Sequence, residues 1–210
     1  METIRDYLKI TRITGVSKYI ILITVISAII GAFIGFEFGI PAIFIGFIIW
    51  YITNMKSFHP NNIKLYPIKN SNISGFYFAF ISATMIISTL LLMLTELIFH
   101  KDFNVYVLLL CLMMSIFYMN IDCYFIMKLN LKNDGKSDGL SLALIGIAIM
   151  LELASFGFII GYTDGYYEKA LFSEIIRFNG MLMIGTAIYF IATILTYIFL
   201  PKKLNKYIIN

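Results

Sequence analysis

The chain has 210 residues, of which 60% are hydrophobic and only 13% charged, with a formal net charge of +4 and a mean hydropathy of +0.87. A soluble domain carries roughly 25% charged residues because its surface faces water. This composition therefore excludes a water-soluble globule and makes lipid the main solvent. The pI of 8.9 does not point to nucleic acid, because the positive charges fall beside apolar runs.

Residues 1–18 read as an amphipathic helix on the cytoplasmic face. Arg5, Lys9 and Arg12 share one side at spacings of four and three, with Ile4, Tyr7, Leu8 and Ile10 on the other. Such a helix lies on the inner leaflet with its cations toward anionic lipid. Residues 19–210 then read as one all-α integral membrane domain. Apolar runs of spanning length predict six transmembrane helices, at about 19–36, 40–55, 76–99, 103–127, 140–162 and 180–200. The second run is short, ~24 Å at 1.5 Å per residue against a ~30 Å hydrocarbon core. It forms either a full span, as part of a tilted hairpin with the first, or a re-entrant loop. The first run is not a cleaved signal peptide, because a second hydrophobic block begins almost at once, without a polar cleavage region.

Orientation follows from lysine and arginine. With the N-terminus inside, the inner segments hold thirteen of them, and only Lys101, Lys169 and Arg177 lie outside. That asymmetry predicts both termini in the cytoplasm and a multi-pass protein of the plasma (cytoplasmic) membrane. It also puts a long polar loop, residues 56–74, on the cytoplasmic side. The outer segment, residues 163–179, carries a helical pattern and forms either an interfacial helix or an irregular external loop.

Few reaction chemistries fit. Gly135-Lys136-Ser137 matches the end of a phosphate-binding loop, but Asn130 stands where the first glycine should be and no strand precedes it. No cofactor is expected on the chain itself, which has no visible means of hydrolysing ATP. His59 and His100 fall on opposite sides of the membrane, and no zinc-protease motif is present, so no metal site and no enzyme is expected. Cys111 and Cys123 share one apolar run, too far apart along a helix to bridge, and read as buried thiols.

Three carboxylates interrupt the apolar runs. Glu96 and Asp122 lie near the ends of theirs, within reach of the interface, whereas Glu152 falls near the midplane. A charge there costs about 2.5–3.5 kcal/mol or more. Glu152 is either a polar element of a substrate path or a hydrogen-bonded lock between helices. Small residues at intervals of four, Gly31, Gly35 and Gly39, and again Gly157, Gly161 and Gly165, form grooves that let another helix approach closely. Those grooves serve packing within the chain or an interface with a second copy. The methionines scattered through the spans line a surface for greasy cargo or simply face lipid.

Six spans, inner termini, an N-terminal interfacial helix and a long inner loop before the third span resemble the permeases of the type-2 ABC transporter family. That family often carries a leucine-proline-aliphatic motif, followed by Ser/Thr and basic residues and then an aliphatic one. Here the stretch is Tyr66-Pro67-Ile68-Lys69-Asn70-Ser71-Asn72-Ile73, with Tyr66 in place of leucine. The resemblance implies that the loop, with Lys64, Tyr66, Pro67, Ile68 and Lys69, is a coupling element docking on a separate ABC ATPase subunit. ATP and magnesium would then sit on that partner. It further implies that the elbow helix with Arg5, Lys9 and Arg12 helps form the contact surface, and that two permeases pair. The local chemistry suits this: Pro67 disfavours helix at Tyr66, and Asn70 and Ser71 are good caps for the next helix.

The resulting expectation is the permease subunit of an ATP-driven exporter for a hydrophobic or amphipathic cargo, peptide or lipid-like. Two alternatives stand beside it, an ATPase-independent binding or immunity protein and a proton-coupled carrier using Glu152.

Overall fold

A hydrocarbon solvent offers backbone N–H and C=O groups no partners, so apolar chain of this kind must satisfy them internally, as helix. The computed structural model describes residues 16–34, 38–53, 73–99, 104–132, 139–167 and 171–209, and among these there is no strand. Six helices follow one another: α1 (Val16–Ile34), α2 (Gly39–Thr53), α3 (Ile73–Phe99), α4 (Val105–Lys132), α5 (Gly139–Tyr167) and α6 (Phe172–Ile209). Several expectations lie outside the described residues: the elbow segment with Arg5, Lys9 and Arg12, the loop with Lys64 to Lys69, and Gly35. The side chain of Glu96 within α3 lies outside them too.

Three helices contain stretches long and apolar enough to cross a membrane: Val105–Leu129 in α4, Ala143–Thr163 in α5 and Phe172–Leu204 in α6. The other three described apolar stretches, Lys18–Ile34, Gly39–Ile49 and Phe78–Leu94, are shorter. Among the described residues the chain is thus all-helical, with three helices of spanning length, the composition of a membrane protein.

Local sequence explains where the long helices start. Asn104 caps α4, its Oδ1 accepting from the backbone N–H of Tyr106 at 3.0 Å and of Val107 at 3.3 Å. At α6 the Glu174 carboxylate reaches back to accept from the N–H of Leu171 at 2.9 Å, the returning half of a capping box. That cap starts α6 well before Gly180, while α5 runs on to Tyr167. Most of the expected outer segment therefore belongs to these two helices, because nothing between Thr163 and Tyr167 stops α5. At the other end α6 continues through Pro201 to Ile209, beyond the expected end at Leu200. The ring removes one rung of the hydrogen-bond ladder without ending the helix.

The arrangement is built around α4. It packs against α2, α3, α5 and, most extensively, α6, while α1 sits against α2 and α3. The most buried large side chains, among them Phe44, Phe47, Phe78, Phe80 and Phe156, fill the space between these helices. α5 packs chiefly on α4 and shows lipid-sized apolar side chains elsewhere, with Met150 72% and Phe158 73% exposed. The C-terminal end of α5 and the first turns of α6 are joined by rings, with Tyr166 stacked on Phe178 at 4.4 Å between centroids.

Contacts give the directions. A Cβ on Gly46 would meet Ile23 at 3.0 Å and one on Gly39 would meet the Ser27 carbonyl at 3.4 Å, so α1 and α2 run antiparallel. Gly39 also lies so close to Leu92 that a Cβ would come within 2.6 Å of it, a close approach of the kind that small-residue spacing predicts. Gly157, Gly161 and Gly165 differ: nothing among the described residues comes within 4 Å of a Cβ at any of them. The α5 groove therefore takes no part in packing among the described residues, because α5 turns its other side to α4.

Candidate functional site

Hydroxyl groups on these helices mostly bond to their own backbone. Thr24, Ser115, Thr186 and Thr193 each donate to the carbonyl four residues earlier, at 2.7–2.8 Å. Self-satisfied in this way, they sit among apolar neighbours at little cost. Among the described residues, side chains that bond between helices are few: Tyr197 of α6 donates from Oη to the Phe78 carbonyl of α3 at 3.1 Å, and the others lie on α4. Tyr118 Oη lies 3.1 Å from Tyr189 Oη on α6 and 3.4 Å from Ser155 Oγ on α5. Two residues on, the buried Asn120 donates from Nδ2 to Thr196 Oγ1 on α6 at 3.2 Å. Since Tyr118 meets 189 and Asn120 meets 196, α4 and α6 run parallel, with α5 antiparallel between them in sequence.

The rings reinforce this seam. Tyr118 packs edge-on against Phe156 at 5.9 Å and Tyr189 at 6.0 Å, and Phe156 continues the contact to Phe44 of α2 at 5.7 Å. Aromatic pairs in such geometries add about 0.5–1.5 kcal/mol beyond the area they cover.

Just beyond Tyr118, α4 and α5 part to form a half-open cavity of about 430 Å³. Its walls are largely apolar, with Phe125, Ile145 and Ala148 among them, and three ionisable residues line it: Asp122, Glu152 and Lys128. Asp122 is 2% exposed, and its carboxyl lies within hydrogen-bonding reach of the Glu152 carboxyl. Two ionised carboxylates are both pure acceptors, so a bond between them requires one proton held by the pair. Each group keeps a buried oxygen without a hydrogen-bond partner, Oδ2 of Asp122 and Oε2 of Glu152. Lys128 lies six residues beyond Asp122, ~9 Å along the helix, with Nζ 5.9 Å from the centre of the Tyr124 ring.

The structure therefore joins two of the three carboxylates that stood apart in the sequence. Asp122 is buried against Glu152, on an α4 that continues to Lys132 and so holds it well inside the helix. Lys128, Tyr118, Ser155 and Tyr189 were not marked by sequence reasoning. A usable signal was present in the α4–α5 hairpin. Antiparallel neighbours sit symmetrically about their connection, and the midpoints of 118 with 155 and of 122 with 152 both fall within one residue of Ser137.

Cys111 and Cys123, both on α4, are buried thiols, ~18 Å apart along the helix axis. Among the described residues no group of three or more His, Cys, Asp or Glu side chains is placed to hold a metal ion. What this region can do chemically is hold a proton between two buried carboxyls beside a largely apolar hollow. No family model, curated protein or solved structure matches this chain.

Proposed function

We propose that the chain is the membrane-embedded permease subunit of an ATP-driven exporter, moving a hydrophobic or amphipathic cargo with energy from a separate ATPase subunit. The observation that carries the transport reading is the cavity between α4 and α5, whose apolar walls and paired carboxyls occupy the apolar length of two helices. A buried acidic pair is costly in that setting and weakly useful for stability alone, which favours a role in a substrate path. The energy source rests on the inner loop, where Tyr66-Pro67-Ile68-Lys69 resembles a coupling motif, and on the chain's lack of a phosphate-binding loop. In this reading the three shorter apolar helices complete six spans, with both termini inside the plasma membrane, as the thirteen-to-three charge asymmetry supports. A second copy or a related permease would complete the path.

Co-expression with candidate ATPases tests the proposal. Co-purification of one of them and stimulation of its ATP turnover by the wild-type chain are expected. The double substitution Pro67→Gly with Ile68→Asp should abolish that stimulation while leaving membrane insertion intact. Normal stimulation by the variant would end the coupling role, and the absence of any partnering ATPase would end the exporter reading.

One observation favours a second reading, a proton-coupled carrier. The Asp122–Glu152 pair can hold a single proton and exchange it with cargo, which is what gradient-driven transport requires. Vesicle uptake driven by an imposed proton gradient, lost in Glu152→Gln and indifferent to the loop substitutions, would select this reading over the first.

A further inference from the structure

The hollow between α4 and α5 has a direction. It starts where the apolar stretch of α4 ends, at Leu129, beside Leu144 near the start of that of α5, and runs inward to Ile121 and Glu152. From 129 back to 121 α4 rises ~12 Å, most of the ~15 Å that one leaflet gives to a ~30 Å hydrocarbon core. Polarity changes along that depth. Lys128, half-buried, stands at the shallow end, its Nζ 5.9 Å from the centre of the Tyr124 ring. Below it the walls are apolar, with Phe125, Ile145 and Ala148. Asp122 and Glu152 stand at the deep end, but their unpartnered oxygens are buried and offer the hollow no surface. The hollow is open along one side, and the side chains at that rim, Phe125 and Leu144, are 49% and 59% exposed.

An occupant of such a space needs an apolar chain about one leaflet long and a negative group at the membrane border. Lysine is a common phosphate binder, and basic pockets between membrane helices take anionic headgroups. We propose that the hollow holds an acyl chain of an anionic phospholipid, with the headgroup phosphate on Lys128. The charge on the carboxyl pair lies ~9 Å deeper along α4, so a headgroup at the border meets the ammonium first. A zwitterionic lipid brings a cation of its own to the same lysine, which makes preference for the anionic headgroup the mark of the site. The inference needs the membrane but no ATPase, and so stands apart from the exporter reading.

The test uses the full chain in a neutral detergent, with phosphatidylglycerol and phosphatidylcholine of identical acyl chains added in turn and bound lipid counted by native mass spectrometry. One phosphatidylglycerol should bind at least fivefold more tightly than phosphatidylcholine. Lys128→Gln should remove that preference, and Lys128→Arg should keep it. Should Lys128→Gln lose its fold, Ala148→Phe leaves the lysine in place, fills the hollow and should lose the bound phosphatidylglycerol. Lys202→Gln with Lys203→Gln, at exposed lysines of α6, should leave binding unchanged. Glycerol phosphate, a headgroup without acyl chains, should not displace the lipid. Equal binding of the two lipids, wild-type preference in Lys128→Gln or in Ala148→Phe, an equal loss in the α6 double variant, or displacement by glycerol phosphate would each overturn the site. A chain that selects phosphatidylglycerol but stimulates no ATPase keeps this inference and loses the exporter reading, and the converse result does the opposite.

Discussion

The two halves of the molecule are held together differently. In α1, α2 and α3 the helices meet through shape. Gly46 accommodates Ile23, Gly39 accommodates Leu92, and buried hydroxyls such as Thr24 and Thr84 bond to their own helix. Around α4, α5 and α6 the contacts that bridge helices are polar as well as aromatic: Tyr118 with Ser155 and Tyr189, and Asn120 with Thr196. In lipid an apolar side chain gains little by exchanging a lipid tail for a neighbour, so close fit must hold the first half. Polar contacts specify which residue meets which. They appear where α4 must hold two partners in register beside a cavity. The first half is held mainly by fit and the second mainly by wiring, and one wire crosses between them, from Tyr197 Oη of α6 to the Phe78 carbonyl of α3 at 3.1 Å.

The comparison breaks most readily at its joint. Phe156 is a ring that touches both halves, Phe44 on one side and Tyr118 on the other. Phe156→Ala should cost about 3 kcal/mol or more, read as the shift in an unfolding midpoint in detergent. A loss under about 1 kcal/mol would mean that the halves are not joined there.

Fit itself is tested next. Gly46→Leu drives a side chain into Ile23 and should destabilise by about 1–3 kcal/mol, with partial rescue by Ile23→Ala. Gly157→Leu, at a glycine with open space beside it, should stay within about 0.5 kcal/mol. Equal effects at the two positions would erase the distinction between a glycine that seats a neighbour and one that does not.

The smallest effect should come from the wiring. A double-mutant cycle with Tyr118→Phe and Tyr189→Phe should return a coupling of about 0.6 kcal/mol, the usual value for a hydrogen bond between membrane helices. A control cycle pairing Tyr118→Phe with Thr193→Val should return none, since Thr193 donates to its own helix at the Tyr189 carbonyl. Coupling in the control would show that the threonine, too, acts between helices.

Much of this architecture could be read from composition, and the reasons differ by element. The helices are long apolar runs with few alternatives in a hydrocarbon solvent, so their existence follows directly. Their ends are less visible. The start of α6 at Phe172 depends on the Glu174 side chain turning back to Leu171, and its passage through Pro201 runs against the rule by which a proline ends a helix. The site was half visible. Glu152 stood out because ionisable groups are rare at such depth, whereas Asp122 looked peripheral while α4 was expected to end at Met127. Tyr118 and Tyr189 gave no signal, since a tyrosine in an apolar run is unremarkable until its hydroxyl has a partner. Lys128 was one inner lysine among many, and only the hairpin register places it at the cavity.

The length of α6 has a mechanical consequence. At 1.5 Å per residue its 38 residues make a rod of ~57 Å, nearly twice the thickness of a hydrocarbon core. Such a rod cannot stand upright within that thickness; it must lean across it or extend past it, and its exposed Lys202 and Lys203 lie near the end that would do so. It is also the helix most extensively packed on α4. A lean of only ~5° about its middle carries each tip sideways by ~2.5 Å, and the hydroxyls of Tyr189 and Thr196 ride nearer the fulcrum and move less. α6 thus reaches past the seam at its ends, while its middle, around Tyr189, stays against the helix that lines the cavity.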